Sequence, residues 1–169
     1  YTTEAEFGAV LKDNSSLRDQ IRLISKCGIK MISSNRSDHK IKSYDLGHSH
    51  IEDSVDQSLR NLETDRLDVL LLHRPDVLMD PYEIAETFYQ LREKGKVLHF
   101  GVSDVTTAQF RSLTSVFPLI TNQIEVSAVH LNAYLDGTIN QCMDHHIQPL
   151  AWSPFCVPKA PKSHWCAVI

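Results

Sequence analysis

The run Val69-Leu70-Leu71-Leu72 constrains this chain more than any other feature. In an extended strand successive side chains point to opposite faces, so four apolar residues in a row need cover on both sides. That is the signature of a buried parallel strand rather than of an antiparallel strand with one wet face. Similar short apolar segments occupy residues 21–25, 97–102, 119–124 and 148–152, which with 67–72 makes five expected strands. Each interval between them leaves room for the crossover helix that parallel strands require.

Helical patterns fill those intervals. Ile51, Val55, Leu59 and Leu62 form one apolar stripe among charged residues. The next helix has Asp80 as a candidate N-cap and Pro81 in its first turn, where a missing N–H costs nothing. Its stripe is Ile84, Phe88 and Leu91, and Lys94-Gly95-Lys96 supplies the C-terminal cations and glycine that end a helix. A third stripe is Phe110, Leu113 and Phe117; a fourth helix is expected from about Leu135 to His146. Alternation this regular implies a parallel α/β fold. No glycine-rich phosphate loop follows any strand, so a barrel is preferred over a doubly wound nucleotide-binding sheet. The expected architecture is part of a (β/α)₈ barrel, about five parallel strands with alternating helices.

Function in a barrel gathers at the C-terminal ends of its strands. Here those ends read Ser25-Lys26-Cys27-Gly28, His73-Arg74-Pro75-Asp76, Ser103-Asp104, Gln123-Ile124-Glu125 and Trp152-Ser153-Pro154. Taken singly, each has a bland reading: a rim lysine snorkelling to solvent, a core histidine bonded to backbone, a turn Ser-Asp. Five polar strand ends in one order are harder to dismiss.

In that order the segments "SKCGI", "SLRNLETDRLDVLLLHRPD", "GKVLHFGVSD", "TNQIEVS" and "AWSP" resemble the successive barrel strands of the aldo-keto reductase superfamily, in its bacterial oxidoreductase branch. The resemblance runs from residue 1 to about 155. It implies carbonyl reduction with NADPH, bound in an extended pose, by a tetrad of Asp, Tyr, Lys and His. The tyrosine protonates the carbonyl oxygen, the lysine cation lowers the tyrosine pKa, and the histidine orients the carbonyl. By motif position Lys26 is the catalytic lysine and His73 the histidine. Ser103, Asp104 and Gln123 stand where the family holds the nicotinamide carboxamide, Trp152 where an aromatic ring stacks on nicotinamide, and Ser153 near the pyrophosphate.

Two departures from the family pattern stand out. The family's "D-x-A-x-x-Y-G" stretch, which carries the Asp and Tyr, would fall just before Tyr1, so Tyr1 is not expected to be the proton donor. Tyr44, in the loop after the first strand, is a remote alternative. The family also commonly has Ser-Asn where this chain has Ser103-Asp104, and an ionised aspartate only accepts hydrogen bonds. Residues 1–155 are therefore expected to form an incomplete barrel. Residues 156–169, with three prolines in Pro154–Pro161 at their start, are expected to be a divergent, disordered tail.

Composition excludes other classes. Seventeen basic against 21 acidic residues leave a net charge of −4, which gives no footprint for nucleic acid or an acidic membrane. No apolar run reaches transmembrane length. Cys27, Cys142, Cys156 and Cys166 lack zinc-type spacing and read as reduced thiols, so a cytoplasmic protein without a metal is expected. Two functional readings stand: an NADPH-dependent reductase of a small-molecule carbonyl, inactive as this chain alone, or a non-catalytic remnant that binds cofactor or a partner. Exposed strand edges make self-association a further expectation.

Overall fold

The computed structural model describes residues 2–32 and 40–155. In chain order the elements are α1 (Thr3–Asp13), a 3-10 turn (Ser15–Gln20), β1 (Ile24–Cys27), β2 (Ile29–Lys30), β3 (Ser43–Tyr44), α2 (His48–Asn61), β4 (Leu67–Leu72), α3 (Pro81–Glu93), β5 (Val97–Ser103), α4 (Thr107–Thr114), β6 (Asn122–Glu125), α5 (Asn132–Leu135), α6 (Thr138–Asp144) and β7 (Leu150–Trp152). Strands β1, β4, β5, β6 and β7 lie side by side in that order, every pair parallel. They form a curled part of a (β/α)₈ barrel, as the alternation of apolar runs and helical stripes implies.

Register divides the sheet into two faces. Cys27, Leu72 and Val102 align, as do Leu70 and Phe100 two residues earlier, and these side chains join the core. They pack against Ile51 and Val55 of α2, Ile84, Phe88 and Leu91 of α3, and Phe110 and Leu113 of α4. Phe88 stacks on Phe100 with ring centroids 4.1 Å apart. The expected stripes are thus the buried ones. Helix starts also follow the expected chemistry: Asp80 accepts the Tyr82 N–H at 2.8 Å, and Thr106 with Gln109 closes a capping box on α4.

Where segments differ from expectation, local hydrogen bonds explain it. The first strand begins at Ile24 rather than residue 21, because the Leu23 N–H is taken by the Asp68 side chain at 2.9 Å. Residues 119–121 run along β5, with the Ile120 N–H on the Phe100 carbonyl, but regular pairing starts only at Asn122. The expected fourth helix, from about Leu135 to His146, is α6, which starts three residues later at Thr138 because a turn at Asp136-Gly137 separates it from the short α5. Gly137 adopts φ 86° and Asp136 accepts the Thr138 N–H, a turn that a side chain at 137 would disfavour. The β2–β3 hairpin carried no sequence signal, since two-residue strands have no periodicity to read.

Among the described residues no helix is long and apolar enough to cross a membrane. Cys27 and Cys142 are buried free thiols, and burial raises the Cys27 pKa to about 12, so it behaves as a small apolar residue. The expected tail at 156–169, including Cys156 and Cys166, lies outside the described residues, as does Tyr1.

Candidate active site

Register fixes which strand-end residues share a face. Lys26 aligns with Leu71 and Gly101, Ser103 with Gln123, and Glu125 with Trp152. Side chains two apart on a strand share a face. Lys26, Ser103, Gln123, Glu125 and Trp152 therefore all project from the inner face, opposite the helices. His73 follows at the end of β4, its N–H held by the Cys27 carbonyl at 2.8 Å, which ties it to the end of β1 beside Lys26.

The electrostatics of the pair are coupled. Burial lowers the His73 pKa below its usual 6.5, and the Lys26 and Arg74 cations lower it further, against a smaller opposing pull from Asp104. The imidazole is thus neutral at neutral pH, able to donate one N–H. Lys26 is exposed and has no ion-pair partner among the described residues. Ser103 is 3% exposed, yet its hydroxyl and the Gln123 amide have no protein partner among the described residues. Left without protein partners on the concave face, these groups are available to a ligand.

Asp104, which the family pattern puts beside the carboxamide, makes contacts within the protein. It ends β5 in the left-handed region at φ 51°, a conformation Asp and Asn tolerate better than most side chains. There its carboxylate pairs with Arg74 and accepts the Trp152 indole N–H, 3.1 Å from each oxygen. The Arg74 guanidinium lies 5.5 Å from the centroid of the Trp152 ring. Ser153, next in the chain, is also left-handed at φ 50°. Such backbone in non-glycine residues costs free energy and clusters at functional sites.

A cleft of about 330 Å³ opens beside this group, with Arg74, Asp104, Thr106, Glu125, His130 and Trp152 in its wall. His130 Nδ1 lies 3.4 Å from the Glu125 carboxylate. Reading strand ends alone did not single out Arg74, Glu125 or His130. Arg74 and Glu125 belong to motifs already recognised, "HRPD" and "NQIE", but His130 lies in a loop without pattern. Tyr44 lies in the β2–β3 hairpin, beside Asp45, which pairs with Lys30.

Comparison with known proteins agrees with this arrangement. Residues 1–160 match the aldo/keto reductase family. The uncharacterized oxidoreductase YcsN of Bacillus subtilis is 50% identical over 156 residues, covering 91% of this chain and 52% of the relative. The oxidoreductase YdhF of Escherichia coli is 48% identical over 155 residues, covering 90% and 51%. A 6-dehydroglucose reductase of Agrobacterium fabrum is 39% identical over 156 residues, covering 91% and 52%. The chain thus spans about half the length of these relatives. Among solved structures, a glycerol dehydrogenase of Gluconobacter oxydans superposes with a TM-score of 0.78 at 23% identity, over 89% of this chain and 44% of its own. An aldo-keto reductase of Bacillus halodurans in its holo form gives 0.78 at 20% identity, over 94% and 52%. Five parallel strands in the family's order, with polar residues at their C-terminal ends on one face, and a family match over nearly the whole chain together place this protein in the aldo/keto reductase family.

Proposed function

We propose that these residues serve an NADPH-dependent carbonyl reductase. The observation that carries the reading is that Lys26, Ser103, Gln123 and Trp152 share the inner face, with His73 tied alongside Lys26. The residues fit a nicotinamide. Its carboxamide needs a donor and an acceptor, and the open Ser103 hydroxyl and Gln123 amide offer both. Trp152 offers a flat apolar ring and Ser153 a polar group toward the pyrophosphate, with Asp104 supporting the same wall. When bound, NADPH would supply the hydride delivered to the carbonyl carbon.

The chain's own residues have distinct tasks on this reading. His73, held neutral, donates a hydrogen bond to the carbonyl oxygen where negative charge develops. Lys26 places a cation beside the proton donor and favours its ionised form. On the family resemblance that donor is the tyrosine of the "D-x-A-x-x-Y-G" stretch, expected ahead of Tyr1. The 169 residues alone are therefore expected to consume no NADPH with a reactive aromatic aldehyde, and to do so once joined to the remaining strands of the Bacillus subtilis relative. In that hybrid, Lys26→Met should lower turnover by orders of magnitude and move the basic limb of the pH–rate profile upward. His73→Ala should lower turnover with that limb less displaced. A hybrid indifferent to both substitutions overturns the assignment. Steady turnover by the 169 residues alone, abolished by Lys26→Met, overturns the placement of the donor.

A second reading is a cofactor- or partner-binding module without chemistry. NADPH binding by the hybrid without any turnover is its expected result.

A further inference from the structure

Resting on the reductase reading, we propose that Asp104, paired with Arg74, is a positioning residue: it clamps the Trp152 indole in one orientation instead of touching the cofactor. The three side chains come from the ends of β4, β5 and β7, and β5 and β7 are not neighbours in the sheet, since β6 lies between them. A contact that skips a strand requires both the curl of the sheet and a side chain aimed across it. The left-handed backbone of Asp104 supplies that aim.

The contact is specific in its chemistry. An indole N–H can only donate, and an ionised carboxylate can only accept. Both carboxylate oxygens lie 3.1 Å from the indole nitrogen, and one of them also meets Arg74. The same guanidinium lies over the indole ring. Arg74 thus neutralises the carboxylate that fixes the ring edge while covering part of the ring's surface. The ring's remaining surface is left as a platform of fixed tilt. With its oxygens engaged in this way, Asp104 leaves the carboxamide to Ser103 and Gln123, whose polar groups have no protein partner among the described residues. A pre-oriented platform raises affinity because no rotamer freedom is lost when a ring stacks on it.

The chain has two tryptophans, so Trp165→Phe makes Trp152 the sole indole reporter. In that background Asp104→Gly removes the carboxylate without penalising the left-handed backbone, and Asp104→Asn keeps an acceptor but drops the charge. Arg74→Met is a second route that leaves residue 104 untouched. Time-resolved anisotropy and acrylamide quenching of the full chain are the primary measurements. Asp104→Gly should free the indole on the nanosecond scale and raise its quenching roughly twofold. Asp104→Asn should rescue most of the restraint, and Arg74→Met should lie between. Titration of the hybrid with NADPH, and with its adenosine bisphosphate half, is the second arm. Asp104→Gly should weaken NADPH by roughly tenfold, the scale of one charge-assisted hydrogen bond, and leave the half-cofactor unchanged. An indole equally restrained in the parent, Asp104→Gly and Arg74→Met overturns the clamp. If the parent hybrid binds neither ligand while the indole is freed in Asp104→Gly, the clamp stands and the cofactor reading falls.

Discussion

Asp68 offers the sharpest test of what holds the fold together. It sits near the start of β4 with its side chain only 6% exposed, inside an otherwise apolar strand. One carboxylate oxygen accepts the Leu23 N–H and forms an ion pair with Arg18 Nη2, each at 2.9 Å. Arg18 is itself buried, and its other bonds go to the Thr64 hydroxyl at 3.0 Å and the Arg66 carbonyl at 2.9 Å. Asp68→Ala would strand that guanidinium without its counter-charge and leave the Leu23 N–H unpaired. Removing one partner of a buried pair costs about 3–5 kcal/mol. At this chain length, that loss lowers Tm by roughly 10 °C. The more exposed Arg22, 3.9 Å from the second oxygen, cannot compensate, because a loose surface pair contributes about 0–1 kcal/mol. The assay is urea and thermal unfolding of the parent, Asp68→Ala, Arg18→Met and the double variant. The double variant should be more stable than the sum of the single losses implies, since it leaves no buried charge uncompensated. A loss below about 1 kcal/mol for Asp68→Ala, or strict additivity in the cycle, refutes the claim that the pair is coupled and buried.

Two further outcomes follow from the same physical reading. Burial and the Lys26 cation hold His73 below 6.5, so between the two pKa values the unfolded chain binds more protons than the folded one; the resulting stability is full above about pH 6.5 and declines as pH falls below it. Following the His73 ring by NMR should show its pKa rising in Lys26→Met, and an unchanged titration means the two groups are not adjacent. Gly8→Ala sets helix propensity, worth about 1 kcal/mol in favour of Ala, against a Cβ placed 2.0 Å from the Asn61 carbonyl oxygen. The clash should win and destabilise by about 1–3 kcal/mol in urea unfolding, whereas net stabilisation shows that α1 does not pack tightly on the end of α2.

Much of the fold was legible in the sequence because its signals are local. The run through Leu70 and Leu72 demanded cover, and the stripes at Ile84, Phe88 and Leu91 supplied it. What escaped reading depends on contacts between distant residues. Asp68 is hidden by its own strand: one carboxylate beside Val69–Leu72 looks like a boundary until Arg18, fifty residues earlier in sequence, arrives to pair with it. The break between α5 and α6 turns on a single backbone angle at Gly137. The candidate site divides in the same way. Lys26, His73, Ser103, Gln123 and Trp152 could be placed because strand ends and motif order locate them without tertiary knowledge. That Asp104 faces Arg74 and Trp152 could not, since it needs a left-handed residue and the curl of the sheet together.

The two ends of the strands treat their polar groups in opposite ways. Near the strand starts and on the helical side, the polar groups bind one another: Arg18 with Asp68, and Glu4 of α1 accepting from Ser25 and Ser58, each at 2.7 Å, and from Asn61 at 3.1 Å. Arg18 Nη1, and Asn122 Oδ1 on the helical side of β6, are exceptions, both buried without a hydrogen-bond partner. These bonds tie α1, α2 and β1 into one body and leave nothing to offer a ligand. At the C-terminal ends the Lys26 ammonium, the Ser103 hydroxyl and the Gln123 amide have no partner among the described residues, and two non-glycine residues there hold left-handed backbone. Left-handed backbone is not confined to that end, since Glu63 and His146, ahead of β4 and β7, adopt it as well at φ 51° and 54°, and such backbone costs free energy wherever it lies. The Arg18–Asp68 and Glu4 networks tie elements together away from the strand C-termini, so stability is expected to respond to Asp68 and Gly8, and ligand binding to Ser103, Gln123 and the Asp104 clamp.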